Sequence, residues 1–155
     1  FGSGSQVSDT GPREPVTRGD LVADQLPLWD RTPFHPQAKA RGAGCDCKGL
    51  LWGVAEELGF PEAQSEYAQA IDYNLGRDVP GDRLKEGFAT LFDRVETMER
   101  GDILLCKLGP KPGHIAIYAG DGRAWHANPK TGVRCRRLEV LLDAFPLDSI
   151  WRWRD

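Results

Sequence analysis

One cysteine and two histidines in this 155-residue chain are of the types that together perform acyl transfer. Cys47 follows Asp46, a good helix N-cap, and precedes an apolar stripe of Leu50, Leu51, Val54 and Leu58 at three- and four-residue spacing. Gly59 and then Pro61 stop that helix. A thiol on a first helical turn meets unpaired backbone N–H groups and the positive end of the helix dipole, which lower its pKa. It still needs a base, and the base needs something to orient it. The chain holds three histidines: His35, His114 and His126. His114 opens the alternating run HIAIYA and His126 lies in RAWHA, so both belong to strands. Cys47 as nucleophile, His114 as base and then acid, and His126 as the orienting residue is the expected division of labour.

Whether the two imidazoles meet depends on hairpin register. With a two-residue loop, Asp121-Gly122, paired positions sum to 243 and His126 falls on the face opposite His114. With a three-residue loop, Gly120-Asp121-Gly122, the sum is 242 and His126 opposes Ala116, on the face of His114. Their Cβ atoms are then roughly 5.5–8 Å apart. A type I turn ending in a left-handed Gly122 favours this second register. It puts Tyr118 on the histidine face and Ile115 and Ile117 on the core face. Around the thiol, Asp46 caps the helix, Phe34 and His35 wall a cleft, and Lys48 places a charge beside the sulfur. Gly49 leaves room for a substrate backbone to approach.

The elements that must hold these residues divide the chain in two. Residues 1–18 are polar and broken by Pro, an arm whose FGSGS start fits an expression scar or a processed terminus. Residues 19–155 read as one domain. Pro27 limits 19–30 to one or two helical turns, with Leu21, Val22, Leu26 and Leu28 available for burial. Residues 32–44 are loop-like, and 62–98 form a weaker helical hairpin in which Leu84, Phe88, Leu91, Phe92 and Val95 mark the apolar side and Asp82 a cap. After Gly101 the apolar period changes from 3.6 to 2, giving strands at 102–108, 114–119, 123–127, 133–139 and 149–154, with a turn at 109–113 and a short helix at 138–145. Helices first and antiparallel strands second make an α+β fold, with the helices on one face of the sheet.

Composition narrows the function. A net charge of −3 from 20 basic and 23 acidic residues gives no footprint for nucleic acid. No apolar run is long enough for membrane insertion. Cys45-x-Cys47 with the histidines is a competing zinc-ligand set, but the pair is tighter than the usual spacing and would draw Cys47 off the helix start. No cofactor and no metal are therefore expected.

The blocks GCDCKGLL at 44–51, GHIAIY at 113–118 and WHA at 125–127, in this order, resemble the NlpC/P60 cell-wall peptidases. The likeness is to the phage-type branch, which includes tail-associated peptidases and those of gene transfer agents. It implies a reduced papain-like fold and a Cys–His–His triad that falls on Cys47, His114 and His126. It also implies peptidoglycan stem peptides as substrate, cleaved between D-γ-glutamate and meso-diaminopimelate. Phage-like tail proteins are the implied partners, and a particle tail acting in the periplasm or at the wall of a target cell the implied location. Two positions depart from the family pattern: Phe34 follows Thr32-Pro33 where a tyrosine is common, and Lys48 replaces a small or apolar residue. A peptidoglycan amidase or related acyltransferase, and a catalytically retired tail or wall-binding module, are the alternatives.

Overall fold

The computed structural model describes residues 16–69 and 81–155. Helix α1 (Arg18–Gln25) starts at Thr17, whose hydroxyl accepts from the Asp20 N–H while Asp20 caps the Thr17 N–H in return. Pro27 then tightens the chain into a 3₁₀ turn, Leu26–Trp29. Val22, Leu26 and Trp29 are buried, whereas Leu21 and Leu28 point to solvent. Two short strands, β1 (Lys39–Ala40) and β2 (Gly44–Cys45), interrupt the expected loop and lead directly into α2 (Cys47–Glu57).

Helix α2 is apolar nearly all round, as befits a helix covered on every side. Leu50, Leu51, Trp52, Val54 and Ala55 are all buried, and each large side chain contributes roughly 1.5–3 kcal/mol by leaving water. Gly53 lets the Trp29 ring lie against the helix, because a Cβ there would meet Trp29 Cη2 at 2.3 Å. A 3₁₀ turn (Pro61–Gln64), α3 (Glu66–Gln69) and α4 (Gly81–Leu91) follow. Phe88 and Phe92 pack edge-on to each other, and Phe92 extends the contact to Trp52 and Trp153. Val95, expected in that helical hairpin, belongs instead to β3 (Asp93–Val95), and Asp82, expected as a cap, lies within α4.

The sheet has six antiparallel strands in the order β3, β8 (Leu147–Arg152), β4 (Ile103–Leu108), β5 (Lys111–Gly120), β6 (Arg123–Asn128) and β7 (Gly132–Arg137). Ile103, Leu105, Ile115, Ile117, Trp125 and Ala127 face the core shared with α2. Leu104, Cys106, Ala116, Ala124 and Ile150 face the other way, where α5 (Leu138–Ala144) covers them through Leu141. The helices therefore do not all lie on one face, where they were expected; α5 closes the second. The result is the α+β arrangement of N-terminal helices packed on a C-terminal antiparallel sheet.

The start of the described fold is tied to its C-terminal residues by Arg18. Its guanidinium sits 4.0 Å over the Phe60 ring, donates to Glu62 and to the Arg154 carbonyl, and lies near Trp153. Thr17 and Arg18 thus belong to the fold rather than to the arm.

Candidate functional site

The start of α2 is held by the loop before it. Asp46 caps the helix by accepting from the Gly49 N–H at 2.7 Å, and its second carboxylate oxygen accepts from the Gln37 N–H at 3.0 Å. The Asp46 N–H donates to the Ala38 carbonyl, the His35 N–H to the Cys45 carbonyl, and the Cys45 N–H to the Pro33 carbonyl. Gly49 is glycine for this reason: a Cβ would lie 1.9 Å from the Ala38 oxygen. The space expected for a substrate backbone is thus filled by the protein's own loop. Phe34 bridges to Cys45 and packs on the core edge, and His35 is exposed beside Gly44, its Nδ1 near the Pro36 carbonyl.

The hairpin of β5 and β6 supplies the histidines. Ile117 pairs with Trp125 and Tyr118 with Ala124, the 242 register, but the loop chemistry differs from expectation. Asp121 and Gly122 both have positive φ, 52° and 75°, as in a two-residue type I′ turn, and Gly120 pairs with Arg123. An irregularity between Tyr118 and Gly120 then shifts the register by one residue, which returns His126 to the face of His114. Tyr118 does not join them. Its hydroxyl accepts from the Gly122 N–H at the hairpin tip, at 3.1 Å.

Beyond Ile117 and Trp125 the β5–β6 ladder ends, although β6 stays paired with β7 as far as Asn128. The two histidines lie in this opened stretch. Both are buried, with 6% and 4% exposure, and His114 Nε2 lies 2.9 Å from His126 Nδ1. Strand alternation sends the Tyr118 N–H to the Asp102 carbonyl on the β4 side. It therefore turns the Ile115 N–H toward the opened β6 side. From that side the Ile115 backbone favours the Cys47 thiolate electrostatically. Helix α2, which starts on Cys47, packs against β5 and β6, the strands that carry the two histidines.

Electrostatics set the resting protonation. Burial first, and the Asp46 carboxylate second, push the Cys47 thiol up to about 11, against the lowering by the Ile115 N–H and Lys48. Burial thus opposes the lowering of the thiol pKa expected from the helix start. Burial also pushes His114 down to about 3, helped by His126, and His126 down to about 4, helped by Arg136. All three groups are neutral at rest. Cys45 and Cys106, both buried, are pushed up to about 12 by desolvation.

One residue beside the histidines was not expected. Phe145, just after α5, stacks on His114 with centroids 4.0 Å apart and an interplanar angle of 22°, and lies 5.9 Å from the His126 ring. The only sequence signal there is a helix end before Pro146.

A helix that begins on a cysteine, laid on an antiparallel sheet that carries paired histidines, defines the papain-like class of α+β fold. Within that class the chain belongs to the NlpC/P60 family, whose profile matches residues 31–142. Members of this family are generally cysteine peptidases or amidases acting on peptidoglycan. A sequence search of curated proteins found no match. Among solved structures, NlpC2 from Trichomonas vaginalis is similar over 91% of this chain and 49% of its own, with TM-score 0.64 and 16% identity. The NlpC/p60 domain of the peptidoglycan hydrolase SagA is similar over 88% of this chain and 99% of its own, with TM-score 0.58 and 20% identity. An NlpC/P60 family protein from Bacillus cereus is similar over 90% of this chain and 41% of its own, with TM-score 0.61 and 17% identity. The chain spans about half the length of the Trichomonas protein.

Proposed function

We propose that this chain is a cysteine endopeptidase that hydrolyses peptidoglycan stem peptides at the D-γ-glutamyl–meso-diaminopimelate amide. The observation that carries the reading is the convergence at the opened end of the β5–β6 hairpin. There His114 is bonded to His126 at 2.9 Å, on strands against which the helix that begins with Cys47 is packed.

The chemistry follows from neutral resting groups. His114 Nδ1 takes the Cys47 proton as the sulfur attacks the amide carbonyl, so the thiolate forms only when it is consumed. The oxyanion develops at the positive end of α2, where the Cys47 N–H and the helix dipole stabilise it. The His114 imidazolium then gives its proton to the leaving amine, and a thioester remains on Cys47. Water, deprotonated by His114, hydrolyses it and restores the thiol. His126 Nδ1 accepts from His114 Nε2–H throughout, which keeps Nδ1 of His114 aimed at the sulfur. Asp46 and Lys48 act through placement of α2 and charge beside the thiol; Phe34 and His35 border the approach.

Digestion of purified peptidoglycan followed by mass spectrometry tests the bond. Fragments ending in D-glutamate are expected, together with diaminopimelate-initiated peptides. Intact stems freed from sugar would replace this reading by an amidase. The motif likeness to phage-type members supports a phage-like particle tail as the setting, with tail proteins as partners and action at the wall of a target cell. Recovery of the chain in purified particles is the expected outcome, and its absence from them would remove that setting.

A further inference from the structure

We propose that Phe145 is a positioning residue that seals the His114–His126 hydrogen bond from water and fixes the plane of the His114 ring. The inference rests on the catalytic reading of the two histidines but adds a residue outside the expected triad.

The sheet itself is deformed to place this ring. Strand β4 carries two register shifts, one toward β5 between Cys106 and Lys107, the other toward β8 between Leu105 and Cys106. Both fall where Cys106 stands opposite His114. Bulges of this kind re-aim side chains beside functional sites. On the β8 side, the displaced Lys107 N–H donates to the Pro146 carbonyl at 2.7 Å, and the Phe145 N–H closes α5 on the Leu141 carbonyl at 2.9 Å. Phe145 is therefore tied in chain position from both sides, with its ring flat on His114 and edge-on to His126.

Such a ring does two things that bulk elsewhere would not. Its face removes water from one side of the imidazole pair, which disfavours the charged form of His114 before substrate binds. Its plane also limits rotation of His114 about its side-chain bonds, so that Nε2 remains on His126 and Nδ1 toward the thiol.

The test is the downfield imidazole N–H resonance of the His114–His126 bond in the whole protein, followed with the pH titration of the ring carbons. In wild type the proton is expected to be visible and His114 to stay neutral down to about pH 4. In Phe145→Ala the resonance should be lost to solvent exchange and His114 should titrate closer to its ordinary value, near 6.5. Activity should fall about tenfold in kcat with KM within twofold, and Phe145→Tyr should restore all three readouts. If the alanine variant does not fold, Phe145→Leu, which keeps the apolar bulk without the flat face, should show faster exchange of that proton. An unchanged resonance and an unchanged His114 titration in either variant overturn the proposal, even in an active enzyme. Loss of the catalytic reading alone would instead show as full activity in Cys47→Ala with the wild-type histidine spectrum.

Discussion

His114 Nε2 and His126 Nδ1 are 2.9 Å apart, with the two ring planes crossing at 89°. One proton must lie between these nitrogens, and the hydrogen bond allows either ring to carry it. If His114 is to accept a proton at Nδ1, its own proton resides on Nε2 and is donated to His126 Nδ1. His126 then serves only as an acceptor, a role that a carbonyl oxygen can also fill.

That role separates two substitutions at one position. His126→Ala removes the acceptor and frees the His114 ring, and kcat is expected to fall about 10²-fold with KM little changed. His126→Asn or His126→Gln supplies an amide oxygen and should recover part of the loss. Steady-state kinetics on a stem-peptide substrate measures both, and equal activity in alanine and amide variants would contradict the assigned tautomer.

The resting thiol is neutral, with its pKa pushed up to about 11 by burial and Asp46, while His114 is pushed down to about 3. Alkylation of Cys47 by iodoacetamide should therefore quicken roughly tenfold per pH unit between pH 6 and 9, since only the thiolate reacts. A rate that is level from pH 5 to 8 would reveal a standing thiolate–imidazolium pair and refute the neutral ground state.

Two buried neutral imidazoles also make the fold acid-sensitive. Their folded pKa values, about 3 and about 4, lie below the unfolded value near 6.5, so the unfolded chain binds more protons between those limits. Their contribution is fully present above pH 6.5 and is lost as the pH falls toward the folded values. At pH 5 the loss is roughly 2 kcal/mol for each ring. Urea midpoints measured from pH 7.5 to 5 should fall in wild type and fall less in His126→Gln; parallel slopes in the two proteins would contradict this.

The helix start can be tested without touching the chemistry. In Gly49→Ala the new Cβ would lie 1.9 Å from the Ala38 oxygen, so the 33–38 loop or the first turn of α2 must move. A destabilisation of about 1–3 kcal/mol is expected by denaturant titration, as for overpacking in general. Wild-type stability in this variant would show that the loop yields freely.

The α2 cap, its stop at Gly59 and the strand sequence after Gly101 were legible because each is a local rule written in neighbouring residues. The same-face placement of His114 and His126 was legible too, through pairing arithmetic, although a type I′ tip and a bulge achieve it where a three-residue loop was expected. What was hidden depends on contacts distant in the chain. The opening of the β5–β6 ladder, the stack of Phe145 on His114, and the Ala38 carbonyl against Gly49 leave no periodic mark. The thiol's raised pKa was missed for the same reason, since a helix start is a local feature and desolvation comes from the surrounding fold. Tyr118 shows the converse: sharing a face with the histidines did not bring it to them, because its hydroxyl serves the hairpin tip.

The central claim is that an acyl group passes through the Cys47 sulfur. Intact-protein mass spectrometry of acid-quenched turnover, with peptide mapping, reads this directly. The expected result is a stem-peptide acyl adduct on Cys47 that is absent from Cys47→Ala, which should also lack hydrolysis. Undiminished hydrolysis by Cys47→Ala, with no adduct on the wild-type thiol, would contradict it.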